Sequence, residues 1–147
     1  MIRALNNPLE SISPMNFAPT PTLVGGSGNT VPQYTTNSGR YSRVGKRVNC
    51  EIYLDGDGGN EGAGTGSMNL ALPIQAGPNH PTGAICVGVY RNSSGTPVYG
   101  ILFGTIVPSS TTISLQKIAG GNLVAFNGSD QAGTTRFLRL SFSYEIA

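Results

Sequence analysis

Very few side chains in this sequence could do chemistry: one histidine, two cysteines and seven acidic residues in 147 positions. The histidine, His80, sits in a Pro78-Asn79-His80-Pro81 loop. Any His-based triad or metal site would have to be built on that one residue. It reads as an exposed loop side chain, and a metal site on it would need three copies meeting at an oligomer axis. The stretch Asp55-Gly56-Asp57-Gly58-Gly59-Asn60-Glu61 opens like a calcium loop. The EF-hand pattern, however, needs an oxygen ligand at its fifth position, a glycine at its sixth and a glutamate at its twelfth. Those places hold Gly59, Asn60 and Gly66, so this is an acidic turn. A carboxylate pair for glycoside cleavage would have to come from the same small supply, three of whose members share that Gly-rich loop. The Gly-rich stretches lack the Lys-Ser/Thr of a phosphate-binding loop. The chain is therefore expected to be non-enzymatic, with no catalytic, cofactor-binding or metal-ligating residues.

Whatever function remains must be carried by surfaces, and the composition says which elements build them. Hydrophobic residues make up 38% of the chain, while 21 Gly and 10 Pro exceed a fifth of it. Gly costs about 1 kcal/mol and Pro about 3 in a helix interior, so short strands joined by turns are favoured. Charged residues are only 11% and the formal net charge is +2. The one basic cluster, Arg40, Arg43, Lys46 and Arg47, reads as the solvated edge of a turn, so no nucleic-acid partner is expected. Cys50 and Cys86 lie in separate strand patterns and are expected to be buried, unpaired thiols. No apolar run reaches the roughly 18 residues of a membrane helix, and residues 1–10 lack a signal-peptide pattern. A soluble protein made in a cytoplasm, with no membrane partner, is the expectation.

Alternation marks the strands. Val48, Cys50, Ile52 and Leu54 share one parity in 47–54, and Leu138, Leu140, Phe142, Tyr144 and Ile146 share one in 138–146. Each such stripe predicts a half-buried strand with an apolar inner face. Met68, Leu70 and Leu72 repeat the pattern, and Ile85, Val87 and Val89 are expected to share a face. Residues 98–107 are apolar at both parities, which predicts a strand covered on both sides. Further strands are expected at 22–24, 31–36, 40–44, 112–118 and 123–126, with Asn37-Ser38-Gly39 as a hairpin turn. These elements predict an all-β fold, an antiparallel β-sandwich with a jelly-roll-like topology, spanning residues 18–147 as one domain.

Residues 1–17 differ from the rest. Ile2, Leu5, Leu9, Ile12, Met15 and Phe17 are irregularly spaced and broken by Pro8 and Pro14. They are expected to form an extended N-terminal arm whose apolar side chains bind a partner.

The segment Gly39-Arg40-Tyr41-Ser42-Arg43-Val44-Gly45-Lys46-Arg47-Val48 carries a resemblance. Followed by an alternating strand, Gly64-Thr65-Gly66 and Leu72-Pro73, it resembles the virion-surface modules of tailed bacteriophages, over about residues 32–73. In its physics, Gly39 and Gly45 would turn the chain, Tyr41 would pack between them, and Val44 and Val48 would seat the hairpin in the core. The resemblance implies a jelly-roll-like homo-oligomer, trimer or dimer, on the outer surface of a virion assembled in a bacterial cytoplasm. It implies a capsid cement or decoration protein that clamps the major capsid protein or other virion subunits. The alternative it implies is a receptor-binding fibre or tailspike tip that recognises a host glycan or protein.

Overall fold

The computed structural model describes residues 11–93 and 96–147, with side chains from residue 14 onward. Among these residues there is no α-helix, and no helix long and apolar enough to cross a membrane. The described residues form ten strands: β1 Ser11–Phe17, β2 Pro21–Val24, β3 Thr36–Val44, β4 Arg47–Asp57, β5 Ser67–Ala71, β6 Ala84–Asn92, β7 Val98–Thr105, β8 Thr112–Ala119, β9 Asn122–Ala125 and β10 Thr135–Glu145. A 3₁₀ turn, Gly128–Gln131, precedes the last strand. Every pairing is antiparallel. The strands make one sheet in the order β1-β3-β4-β10-β6-β7-β8-β5-β2, with β9 beside β8.

The sheet curls so that its inner face encloses a single core. The two predicted stripes form its centre: Val48, Cys50, Ile52 and Leu54 of β4 and Leu138, Leu140, Phe142 and Tyr144 of β10 are all buried. They lie in register, with Leu54 opposite Leu138 and Cys50 opposite Phe142. Met68 and Leu70 from β5, Leu102 from β7, and Ile113 and Leu115 from β8 close the core from the other half of the sheet. Gly45 (φ 58°) turns β3 into β4, and Gly120-Gly121 (φ 57° and 80°) makes the tight β8–β9 hairpin, conformations that favour glycine.

Several local expectations are corrected. Asn37-Ser38-Gly39 is not a turn, because Thr36–Val44 is one strand. Gly39 lies in its middle, opposite both Ile52 and Phe17. A Cβ there would fall on Phe17 Cε1 and stand 2.7 Å from Cδ1 and Cζ of that ring, so the glycine leaves room for it. Residues 31–35 are loop, joined to the structure by hydrogen bonds such as Gln33 N–H to the Asn60 carbonyl (2.9 Å). Val48 is in the core as expected, whereas Val44 is exposed.

In β6 only Val87 of the expected trio is buried, and Ile85 and Val89 are exposed. The register with β7 slips between Cys86 and Gly88. This bulge makes Val87 an extra residue and reverses the parity beyond it. Cys86, beside the inward Val87, points to the outer face and is exposed, against the expectation of two buried thiols, while Cys50 is buried; neither is disulfide-bonded. Strand β7 is also covered on one face only, since Tyr99 and Ile101 stand open to solvent.

Burial has a consequence for alkaline stability. Desolvation, with a smaller contribution from the charge of Glu51, pushes the Cys50 thiol up to about 12. Burial likewise raises the phenols of Tyr34, Tyr90 and Tyr144. These groups keep their protons to higher pH folded than unfolded. Their contribution is therefore complete below the ordinary thiol and phenol values of 9.0 and 10.0 and is lost as pH rises beyond them. The denaturant midpoint should fall progressively above pH 9.0; a midpoint unchanged well above 10.0 would contradict this packing.

Candidate functional site

The residues that could have done chemistry are not brought together. Asp55 accepts a hydrogen bond from the Tyr53 hydroxyl (3.3 Å), and Glu61 accepts one from Gly133 N–H (2.8 Å). His80 is half-buried, edge-on to the Tyr144 ring at 6.4 Å, and its Nδ1 accepts a hydrogen bond from Glu145 N–H (3.3 Å). Among the described residues no three His, Cys, Asp or Glu side chains stand close enough to hold a metal ion. The basic cluster is divided as well. In register, Arg40 and Arg47 share the outer face with Glu51 and Ser141, while Arg43 lies opposite the buried Val48.

What the fold does build is a two-part outer face. Over β3, β4 and β10 the outward side chains are mostly polar, with serines and asparagine set among Arg40, Arg47, Glu51 and Arg139. Two adjoining grooves, of about 390 and 550 Å³, share Arg40, Glu51 and Ser141 and run along this strip as a trough. At one end Arg139 is fixed between two aromatic rings, with its guanidinium carbon 4.5 Å from the Tyr53 centroid and 4.4 Å from that of Phe137. It also donates to the Tyr53 hydroxyl at 2.7 Å. Next to it Arg91 lies over the Tyr99 ring at 5.4 Å. Stacked guanidinium and aromatic side chains, held in place before any partner arrives, are the usual anchors of recognition surfaces.

Across β6, β7, β8 and β9 the outer face changes character. Val89 lies opposite Ile101, Cys86 opposite Phe103, and Ile118 opposite Leu123. Phe103 is opposite Gln116, which puts Ile118, two residues on, on this same face. Val89 is 45% exposed, Tyr99 65%, Ile101 55%, Ile118 53% and Leu123 40%. Along the β10 edge of the patch Arg139 lies opposite Val89. Arg91 borders the patch at its corner, and Lys117, on the other side of β8, pairs with Asp130.

Of the arm residues, Ile2, Leu5 and Leu9 lie outside the described residues, as does the side chain of Ile12. Ser11–Phe17 pairs with β3 as an edge strand of the chain's own sheet. The register shift between Ile12 and Met15 brackets Pro14, which has no N–H to give to a ladder. Phe17 packs on its own core, edge-on to Tyr41 at 6.0 Å. Met15 is 47% exposed beside Tyr41, with its sulfur 3.4 Å from the Tyr41 hydroxyl.

The outer-face residues were not singled out from sequence. Their one signal is β7, apolar at both parities. No protein-family model matches this chain, and none of the curated proteins matches it.

Proposed function

We propose that this protein is a non-enzymatic structural subunit of a virion, a jelly-roll-like module that sits on the outer capsid shell and clamps the major capsid protein or other virion subunits. The observation that carries this reading is the apolar face of β6–β9, bordered by Arg91 and Arg139 at its β10 edge. A monomer leaves such a face in water at a standing risk of aggregation, whereas a subunit that works inside an assembly keeps it covered. Charged residues are typically depleted, and aromatic residues enriched, at the core of protein interfaces, as on this face. The segment 39–48, with its likeness to phage virion-surface modules, supplies the setting. Residues 1–10, with Ile2, Leu5 and Leu9, add anchors for a clamp.

The trough favours a second reading, a receptor-binding tip for a host glycan or protein, because fixed Arg–aromatic stacks suit recognition. The two readings differ in stoichiometry. Quantitative mass spectrometry of purified particles should find this chain in hundreds of copies per virion. A handful of copies would favour the tip, and absence from particles would refute both.

A further inference from the structure

We propose that the outer face of β6–β9 is the contact between two copies of this chain, packed face to face about a two-fold axis. The proposal rests on reading this face as an assembly surface and names its occupant. In a two-fold interface each side chain near the axis meets its own copy, so any charge there meets a like charge. The β6–β9 face satisfies that condition over four adjacent strands. Of the described basic residues, Arg139 stands at the β10 margin of this face, opposite Val89 and stacked between Tyr53 and Phe137, while Arg40 and Arg47 lie on the trough side, Arg136 in the interior, and Lys117 turns to Asp130. Arg91, at the corner, is held against Tyr99. Packing the trough on itself would instead set Arg139 and Arg40 against their own copies.

Size agrees with this occupant. Val89, Tyr99, Ile101, Ile118 and Leu123, each 40–65% exposed, present apolar surface on the order of several hundred Å². With Cys86, Phe103 and the surrounding Thr105 and Gln116, the footprint approaches the roughly 800 Å² per partner of a standard interface. Part of the polar demand of Thr105 and Gln116 is met internally, since the Thr105 hydroxyl donates to Gln116 Oε1 at 2.8 Å. Strand β7 would then be covered on both faces, as its apolar run at both parities implies.

Sedimentation equilibrium of the full chain tests this, with Ile101→Arg as the disrupting variant and Val44→Arg as a control on an exposed position of β3. The wild type should sediment at twice the 15.2 kDa chain mass. Ile101→Arg should weaken dimerisation by about a hundredfold while keeping the wild-type circular dichroism, because it places two cations across the axis. Val44→Arg should dimerise normally. If Ile101→Arg fails to fold, Ile118→Lys, beside the β8–β9 turn, puts a charge on the same face. A wild type that stays monomeric at the highest attainable concentration overturns the proposal, as does a trimer, or a dimer indifferent to Ile101→Arg and Ile118→Lys. A monomeric wild type that still loses particle binding on Ile101→Arg would refute the second-copy contact and leave the assembly reading standing.

Discussion

Replacing Arg136 by methionine should lower the unfolding free energy by about 3–5 kcal/mol, a large part of what a domain this size has to lose. Arg136 is the second residue of the last strand and is wholly buried. Its guanidinium donates to the carbonyls of Gly133 (2.8 Å), Gly58 (2.9 Å) and Asn60 (2.9 Å), and also to that of Gln33. It lies 5.7 Å from the Tyr34 ring centroid. Tyr34 in turn donates to Gln131 (2.8 Å), which donates to the Arg91 carbonyl (3.0 Å). One cation thus ties together the loops at 31–35 and 58–66 and the 3₁₀ turn. A hydrophobic replacement relieves its desolvation but cannot remove the backbone carbonyls; Asn60 keeps the Gln33 N–H, while those of Gly133, Gly58 and Gln33 lose their donor at roughly 1–3 kcal/mol for each buried one. Chemical unfolding of Arg136→Met measures the loss. A change below about 1 kcal/mol would mean water satisfies those carbonyls as well as the guanidinium does.

Gly88→Ala should be at least as damaging, about 4 kcal/mol or more. A Cβ at Gly88 would fall on the Arg139 carbonyl oxygen and stand 2.8 Å from its carbon and 3.0 Å from Leu140 Cα. All of these are backbone atoms of β10, so no side chain can swing aside. The β6–β10 ladder spans only Arg91–Gly88 against Phe137–Leu140, yet it alone joins the β1-β3-β4-β10 half of the sheet to the rest. Hydrogen exchange should show β6 and β10 losing protection together. Retained protection with wild-type melting would contradict the close approach.

The parts of the fold legible in the sequence were those in which one strand carries its own alternation, above all β4 and β10. Gly39 misled because Asn-Ser-Gly has the composition of a turn; its missing side chain makes room for Phe17, 22 positions earlier. The bulge at Val87 has no local signature, and it reverses the parity of Val89; Cys86, before the bulge, faces outward by simple alternation with Val87. Ser11–Phe17 looked like a free arm because Pro14 breaks its periodicity, yet an edge strand tolerates a proline at an irregularity. The Arg136 network draws on four separate segments and could emerge only in three dimensions. The outer face had a single trace in sequence, the two-sided apolar run of β7.

The central claim, that the β6–β9 face is covered in the working assembly, can be read at one atom. Cys86 lies exposed on that face opposite Phe103, while Cys50 is buried in the core with its thiol pushed up to about 12, an internal silent control. Maleimide labelling should modify Cys86 slowly in the assembled protein and rapidly in Ile101→Arg, with Cys50 reacting in neither until the chain unfolds. Equal, rapid labelling of Cys86 in the assembled wild type and in the variant would show that this face stays open and would contradict the account.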